Sequence, residues 1–399
     1  WETGENAMRA TQVHINIKTL QKNLNLIQNH VGDRRVCLAV KANAYGHGAN
    51  IIGPALQQEA CIDAFGVATV EEAINLRNAG VIKPILVFAP VKAHTVADYR
   101  MYSLVAVVGS FEELRLLTPS ISFHLEFDTG MGRLGFYPEE WPEVLAQIEA
   151  EELRPTGIMT HFATADAPGA DYTRKQLQRF KKLLDEMGDW KKGKVIHASN
   201  SGGLLYYEKE GVRFNMVRFG ISLYGFSPNP EVSQQKMTEQ DDAVLKPVLQ
   251  WKSCVTACRR IKKGQSVSYE AIWQAPEDGW LLVVPIGYAD GLRRGLSNQI
   301  YMSVEGLHEP LPQVGNITMD YCMLFSHQEV ATETEVKILG HGQPEAGFAA
   351  VSTADAWARQ LGSISYEILC GIHPKIERIE THGRASLRGG EAFIAPYPS

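Results

Sequence analysis

The sequence lacks three features: cysteines spaced as pairs, long apolar runs and an excess of basic residues. Its six cysteines among 399 residues show no metal-finger spacing, so neither a disulfide framework nor a zinc finger is expected. No apolar stretch approaches the roughly 20 residues of a membrane span. With 39 Lys and Arg against 45 Asp and Glu, the chain lacks the basic excess of a nucleic-acid binder. These absences predict a cytoplasmic protein with reduced thiols and no membrane or nucleic-acid partner.

The first residues also lack the apolar core of a signal peptide. We expect residues 1–8 to be a remnant of cloning, with Met8 as the natural start, and residues 389–399 to form a tail. The 45% hydrophobic content and the length suffice for one large domain and a smaller one.

Short apolar runs alternate with longer amphipathic segments from residue 36 to residue 219, which is typical of βα units around a parallel sheet. Eight such runs are present, at 36–40, 65–67, 85–87, 104–107, 123–127, 157–160, 195–197 and 216–219. Helix-like segments between them carry Leu and Ile at helical spacing, for example at 70–79, 110–117, 142–149 and 172–187. The predicted fold class is therefore α/β, a closed (β/α)8 TIM-type barrel.

The pattern changes near residue 240, after a polar, proline-containing segment. Strand-like runs follow at 250–261, 280–284, 299–304, 323–325 and 336–338, with one helix-like segment at 352–361. We therefore divide the chain into a barrel domain, 9–240, and a mainly β C-terminal domain, 241–388. Residues 9–17 precede the barrel and are candidates to pair with the C-terminal domain.

Lys41 is the candidate catalytic amine. It follows the apolar run 36–40, at a position expected to be partly shielded from water, where an amine can lose its proton and become a nucleophile. Asn43, Tyr45 and His47 offer hydrogen bonds just beyond it, and two glycines allow close backbone approach. A lone lysine at a strand end is more often an incidental surface residue. The residues after Lys41, however, are typical neither of a solvent-exposed loop nor of a helix cap.

Polar residues follow several of the predicted strands and should meet at one barrel mouth, where active sites are built. The loops after the seventh and eighth strands usually hold phosphate, and Ser201, Gly220 and Ile221 offer hydroxyl and backbone N–H donors there. Arg218 either points into the mouth or pairs with a neighbouring helix. An amine beside phosphate donors indicates an aldehyde cofactor, of which pyridoxal phosphate (PLP) is the commonest.

Nine short motifs run along the chain from residue 39 to residue 367. The two most specific are Ala-Val-Lys-Ala-Asn-Ala-Tyr-Gly-His-Gly at 39–48 and Val-Arg-Phe-Gly-Ile-Ser-Leu-Tyr-Gly at 217–225. The others are Asp-Thr-Gly-Met-Gly-Arg-Leu-Gly at 128–135, Thr-His-Phe-Ala-Thr-Ala-Asp at 160–166, Ala-Ser-Asn-Ser-Gly at 198–202, Val-Ser-Tyr at 267–269, Gly-Tyr-Ala-Asp-Gly at 287–291, Thr-Met-Asp at 318–320 and Ser-Tyr-Glu at 365–367. In this order they make the chain resemble the alanine racemase family, PLP enzymes of the (β/α)8 class, over essentially everything after Met8.

The resemblance implies roles at the barrel mouth. Lys41 would carry PLP and act as one of two catalytic bases, and Arg133 would bind the substrate carboxylate. Arg218 would face the pyridine nitrogen, with His161 hydrogen-bonded behind it. Since arginine keeps its proton, the ring nitrogen would stay neutral, which favours reprotonation at Cα over transamination. The implied cofactor-binding residues are Lys41, Tyr45, His161, Ser201, Arg218, Gly220, Ile221 and Tyr366.

The rest of the implied site lies in the C-terminal domain. Racemisation handles protons on both faces of a planar carbon, and the resemblance assigns the face opposite Lys41 to Tyr269 from the other subunit of a homodimer. Met319 would direct its backbone N–H to the substrate carboxylate from that same subunit. Tyr288 and Tyr366 would narrow the entrance to side chains the size of alanine's.

Three positions depart from the family pattern. Where many relatives have a carbamylated lysine that holds the arginine, this chain has Glu126, and we predict an unmodified Glu126–Arg133 pair. After Tyr269, Glu270 replaces a usual glycine and Ile272 a common threonine, which predicts a stiffer or differently charged loop.

The predicted function is PLP-dependent interconversion of L- and D-alanine, supplying D-alanine for peptidoglycan. A racemase of serine or other small amino acids is an alternative, because a methyl or hydroxyl group changes affinity little. Arg218 disfavours a PLP-dependent decarboxylase, and a non-catalytic PLP carrier leaves Tyr269 and Met319 without a purpose. We predict no metal site, and the histidines near the mouth are expected to be hydrogen-bonding residues: His47, His161 and His197.

Overall fold

Eight parallel strands close into a barrel, as the apolar runs predict. Each strand agrees with its predicted run to within one residue at either end. The strands are β2 (Arg35–Ala39), β3 (Ala64–Val67), β4 (Ile85–Val87), β5 (Val105–Val108), β6 (Phe123–Glu126), β7 (Gly157–Met159), β8 (Val195–His197) and β9 (Met216–Phe219). Pairing of β2 with β9 closes the ring. Most strand residues are buried because helices cover the outside of the barrel and side chains fill its interior.

This computed structural model describes residues 10–207, 210–211, 213–229, 245–340 and 352–381. The predicted remnant at 1–8, the boundary between residues 240 and 241, and the tail at 389–399 lie outside the described residues.

The helices around the barrel begin at side-chain caps where the sequence provides them. Thr69 and Ser110 each accept a hydrogen bond from a backbone N–H three residues later, which satisfies one free donor of the first turn. The helical elements are α1 (Ile17–Val31), α2 (Lys41–Tyr45), α3 (Ala49–Leu56), α4 (Val70–Asn78), α5 (Val96–Met101), α6 (Phe111–Leu116), α7 (Trp141–Ala150), α8 (Asp171–Glu186) and α9 (Ser201–Tyr206). The helices predicted at 70–79, 110–117, 142–149 and 172–187 are confirmed as α4, α6, α7 and α8.

The C-terminal domain is mainly β. Its strands are β10 (Leu249–Cys254), β11 (Ala257–Ile261), β12 (Ser266–Val267), β13 (Trp273–Gln274), β14 (Gly279–Val284), β15 (Tyr301–Val304), β16 (Leu311–Pro312), β17 (Cys322–Ser326), β18 (Glu335–Leu339) and β19 (Glu377–Thr381). One sheet, which also includes β1 (Gln12–Asn16), has six strands in the order β16-β15-β18-β10-β1-β19. A second sheet has the order β11-β14-β17, and β12 with β13 forms a hairpin. Two helices, α10 (Ala354–Gln360) and α11 (Ser365–Cys370), precede β19.

The strand-like run predicted at 250–261 consists of two strands in different sheets, since β10 pairs with β18 and β11 pairs with β14. Val255 and Thr256 make the transition, because their backbone N–H groups bond to Thr334 and to Val283 respectively. A continuous run of strand-forming residues cannot show where the chain leaves one sheet for another.

The first strand, β1 (Gln12–Asn16), lies in the six-stranded sheet rather than in the barrel. It pairs antiparallel with β10 and parallel with β19, so a segment from the start of the chain sits between two strands from its second half. All six cysteine thiols are free. Within the described part of the chain, no helix combines the length and the apolar character needed to cross a membrane.

Candidate active site

Lys41 opens a left-handed turn at the end of β2. Its four successors, Ala42, Asn43, Ala44 and Tyr45, have φ values between 51° and 54°. For L-residues this conformation costs roughly 1–2 kcal/mol per residue and persists only where surrounding contacts enforce it. Glu72 supplies one such contact by accepting the backbone N–H of Ala42 at 2.6 Å, and the Asn43 side chain supplies another by accepting that of Ala49 at 2.8 Å.

The C-terminal domain supports this turn from the other side. The carbonyl of Gly46 accepts a hydrogen bond from Arg378 Nε at 3.1 Å. A Cβ at Gly46 would lie 2.2 Å from the carbonyl oxygen of Leu369, and φ is +82° there, so only glycine fits. The lysine therefore sits where the barrel and the C-terminal domain meet.

A cavity of about 240 Å³ opens at this mouth. It brings together seven residues assigned to the site by resemblance: Lys41, Tyr45, Arg133, His161, Ser201, Arg218 and Gly220. Ile221 is buried immediately beyond Gly220, and the ring of Tyr366 lies 5.7 Å from that of Tyr45. Residues from opposite ends of the barrel domain thus converge on one small volume.

Burial and positive neighbours adjust the amine of Lys41. The pKa of Lys41 is lowered, first by burial and then by the charge of Arg133, while Glu72 opposes the shift. A lowered pKa increases the neutral fraction of the amine, which is the form that can act as a nucleophile or a base.

Arg218, on β9, is buried and bonds to residues at the ends of β7 and β8. Its NH1 group donates to His197 Nδ1 at 2.5 Å, and its NH2 group donates to the carbonyl of Thr160 at 3.0 Å and to His161 Nδ1 at 3.1 Å. Burial lowers the pKa of Arg218 to about 10, so it stays charged at neutral pH. Burial also holds the pKa of His161 and of His197 well below the usual histidine range, so both are neutral acceptors.

His124 extends this network and was not predicted. Because His197 Nδ1 accepts from Arg218, its Nε2 carries the proton and donates to His124 Nδ1 at 2.8 Å. Burial lowers the pKa of His124 to about 4, so it accepts as a neutral ring. The sequence signal was available, since His124, His197 and Arg218 all lie on barrel strands, but only the barrel register shows that their side chains meet.

The far end of the cavity is rich in donors. The Ser201 hydroxyl accepts the N–H of Gly220 at 3.2 Å, and a Cβ at Gly220 would lie 2.5 Å from the Tyr45 hydroxyl. Burial raises the pKa of Tyr45, which keeps its hydroxyl protonated. Hydroxyls close to a glycine backbone suit an anionic group such as a phosphate.

These residues fit the cofactor that the resemblance implies. The cavity offers an amine for an aldehyde, Tyr45 and Ser201 for a phosphate, and Arg218 for a ring nitrogen. The Nε–H of Arg218 and one of its NH1 hydrogens have no protein acceptor in the described part of the chain. Such free donors beside the cavity match an aromatic nitrogen that accepts a hydrogen bond.

Glu126 lies between this cavity and an adjoining one of about 320 Å³, and Arg133 lines both. Only 6% of Glu126 is exposed, and burial raises its pKa to about 7 although Arg218 and Arg133 act against the shift. The predicted Glu126–Arg133 pair is not a direct contact, since no ion pair joins these two described residues. Arg133 is exposed, and a guanidinium that remains hydrated is drawn only weakly to a buried carboxyl whose pKa is raised to about 7.

Tyr269, Tyr288 and Met319 do not reach the cavity. They lie on the C-terminal domain and are 70%, 44% and 53% exposed, and we call this group the tyrosine face. Backbone bonds connect its members: the N–H of Tyr288 donates to the carbonyl of Thr318, and the Asn316 side chain donates to the carbonyl of Tyr269. The three residues therefore form one exposed surface outside the cavity of their own chain.

Comparison with known families matches nearly the whole chain. Residues 15–228 match the family described as "Alanine racemase, N-terminal domain", and residues 248–380 match "Alanine racemase, C-terminal domain". The protein of Desulfosudis oleivorans named "Alanine racemase" is 36% identical over 373 residues, covering 88% of this chain and 91% of that protein. The protein of Geobacillus kaustophilus with the same name is 35% identical over 383 residues, covering 93% of this chain and 94% of that protein.

Solved structures show the same similarity. The crystal structure of alanine racemase from E. faecalis superposes with a TM-score of 0.82 at 31% identity, covering 95% of this chain and 100% of that one. The structure of alanine racemase from Bacillus anthracis with bound L-Ala-P gives a TM-score of 0.83 at 30% identity, covering 95% and 96% of the two chains.

Proposed function

The chain belongs to the alanine racemase family, and we propose that it interconverts L- and D-alanine with PLP on Lys41, in a homodimer with shared sites. The observation that carries the proposal is the convergence of Lys41, Arg218 and the donors Tyr45 and Ser201 on one cavity. The small volume of this cavity, about 240 Å³, favours a small substrate. The product D-alanine would serve peptidoglycan synthesis, and a cytoplasmic location stays a prediction.

PLP would be held covalently by the Lys41 amine, with Tyr45, Ser201, Gly220, Ile221 and Tyr366 around its phosphate. When bound, it supplies an electron sink for the electron pair left at Cα after a proton departs. The chain's own residues then decide where that proton goes.

Lys41 is suited to move a proton on one face of the substrate. Its lowered pKa gives a neutral amine that can accept the Cα proton, and the cations Arg133 and Arg218 nearby favour its return. Arg133 lines the same cavity and offers a guanidinium for the substrate carboxylate.

Arg218 holds its proton rather than sharing it. It remains charged at neutral pH, and neutral His161 and His197 accept from it without competing for the charge. A fixed donor of this kind limits how far negative charge moves from Cα toward the ring, which favours rapid reprotonation at Cα. That preference distinguishes racemisation from transamination.

The opposite face of the substrate needs a second base, and we assign it to Tyr269 of a second copy. The tyrosine face exposes two aromatic rings and a methionine together, which is characteristic of a surface that another protein covers. Docked against the mouth of a second chain, it would bring Tyr269 opposite Lys41, the Met319 backbone to the substrate carboxylate, and Tyr288 beside Tyr366 at the entrance.

The test is incubation of the PLP-loaded protein with L-alanine in deuterated water. We expect the Cα hydrogen to exchange and optical rotation to fall to zero, with L-serine converted more slowly because its hydroxyl has no assigned partner. Lys41→Ala is the control, which should lose both the reaction and the visible absorbance of the bound aldehyde. Release of carbon dioxide would instead establish a decarboxylase, and faster turnover of serine would reassign the substrate.

A further inference from the structure

The loop that carries Tyr269 has an unusual backbone. Ser268, Glu270 and Ala271 have φ values of 67°, 65° and 49°, and none of them is glycine. Residues with side chains adopt this region at a cost, so three of them within four positions require contacts that hold the loop in place.

Two groups provide those contacts. Asn316 is buried; its side chain donates to the Tyr269 carbonyl at 2.9 Å, and its own carbonyl accepts the Ser268 hydroxyl at 2.6 Å. Glu270 reaches in two directions, since one carboxylate oxygen accepts from Arg294 NH2 at 2.8 Å and the other accepts from Asn316 at 3.4 Å. Asn316 therefore fixes the loop at Ser268 and Tyr269, and Glu270 connects the loop to Arg294 and Asn316.

The same contacts connect the loop to the rest of the tyrosine face. Asn316 lies two residues before Thr318, whose carbonyl accepts the N–H of Tyr288, and three before Met319. Arg294 lies on the segment that follows Tyr288. A displacement of Glu270 would therefore change the position of Tyr269 relative to Tyr288 and Met319.

We propose that Glu270 is a positioning residue for Tyr269, which it orients before a second copy docks by tying the loop to Arg294 and Asn316. This rests on the proposed function, in which Tyr269 is the second base. Glycine at this position would adopt the same φ without strain, so a glutamate is explained by the contacts of its carboxylate. An exposed ion pair adds little stability, so its effect should fall on geometry.

The experiment compares wild type, Glu270→Gly, Arg294→Gln and the double variant, all PLP-loaded, with D-alanine in deuterated water. Two rates are measured: conversion to L-alanine, and deuterium uptake into D-alanine with retained configuration. The second rate needs only the base on the D-alanine face, which we take to be Lys41, with Tyr269 on the L-alanine face. We expect conversion to fall about 10-fold in each single variant, because small misplacements of a reacting group are costly. Retained-configuration uptake should change less than about twofold, and the double variant should be no worse than either single variant, because both act through one contact.

Asp189→Ala is the matched control, because Asp189 forms an exposed ion pair with Lys192 at the same 2.8 Å, remote from the site in sequence. It should leave both rates unchanged. Equal losses of conversion and uptake in Glu270→Gly would overturn the positioning role, as would unchanged conversion. A wild-type protein that neither converts nor exchanges alanine would instead contradict the proposed function itself.

Discussion

The barrel mouth and the tyrosine face carry the two halves of the proposed site, and they differ in how far the single chain completes them. At the mouth, burial and neighbouring groups shift the pKa values of Lys41, Arg218 and Tyr45, and hydrogen bonds to neighbouring residues hold Arg218. On the tyrosine face, Tyr269 and Met319 are more than half exposed. Burial shifts the pKa values at the mouth within one chain, whereas the tyrosine face depends, in the proposed dimer, on a partner to exclude water.

This difference suggests separate roles for the two regions: the mouth binds the cofactor, and the tyrosine face supplies a base. Groups that bind a cofactor permanently benefit from a site that is complete when the chain has folded. A base that acts only on substrate can be brought by a second chain, provided that its loop is oriented beforehand.

The strongest test of this comparison mixes two inactive variants. Lys41→Ala and Tyr269→Phe should each lose conversion by at least about 100-fold, because each removes one proton carrier. When the two proteins are unfolded together and refolded with PLP, half of the dimers are mixed, and each mixed dimer contains one intact site. Conversion should return to about a quarter of the wild-type rate.

Refolding each variant alone is the control and should restore nothing. If Lys41 and Tyr269 acted within one chain, no mixed dimer would contain an intact pair, and the mixture would stay inactive.

A second prediction concerns the contact of the C-terminal domain with its own mouth. Arg378 donates to the carbonyls of Gly46, Ile372, His373 and Ile376. Arg378→Ala should lower the free energy of unfolding by about 3 kcal/mol, because several partly buried carbonyls lose their donor at once, and should weaken PLP binding by releasing the Lys41 turn. Denaturant titration and absorbance titration with PLP measure the two effects.

Arg260→Ala, on exposed strand β11, is the matched control and should change neither quantity. Loss of stability with unchanged PLP affinity would show that the Lys41 turn holds its shape without the C-terminal domain.

The smallest effect concerns Glu126 and the pH dependence of stability. Its native pKa is about 7, against about 4.5 for an ordinary glutamate, so between these values the folded chain binds the extra proton. The stability it contributes is fully present below pH 4.5 and is lost as the pH rises through 7. Glu126→Gln should therefore gain about 2 kcal/mol relative to wild type between pH 5 and pH 8.

Urea unfolding at the two pH values measures this difference, with the exposed Glu139→Gln as control. A pH-independent difference would show that the mouth solvates the Glu126 carboxylate. A crystal structure with Glu126 against Arg133 would restore the direct pair that the sequence predicted.

Local patterns in the sequence were enough for much of the fold. The runs at 85–87 and 195–197 coincide with β4 and β8, because a buried parallel strand needs a continuous apolar stretch whatever its neighbours are. The motif around Lys41 likewise indicated, from neighbouring residues alone, an amine that can act as a nucleophile. Within one strand-like stretch, however, the sequence could not show that 254 and 257 belong to different sheets.

The sequence by itself determined the eight barrel strands, the candidate amine Lys41 and the resemblance to one family. Only the tertiary structure decided that β1 pairs between β10 and β19, that His124 joins His197 and Arg218, and that Glu126 stands apart from Arg133. The physical reason is the distance along the chain over which each kind of interaction acts. Apolar periodicity and turn residues act over a few neighbours, whereas hydrogen bonds, burial and pKa shifts depend on groups that meet only when distant strands close the barrel.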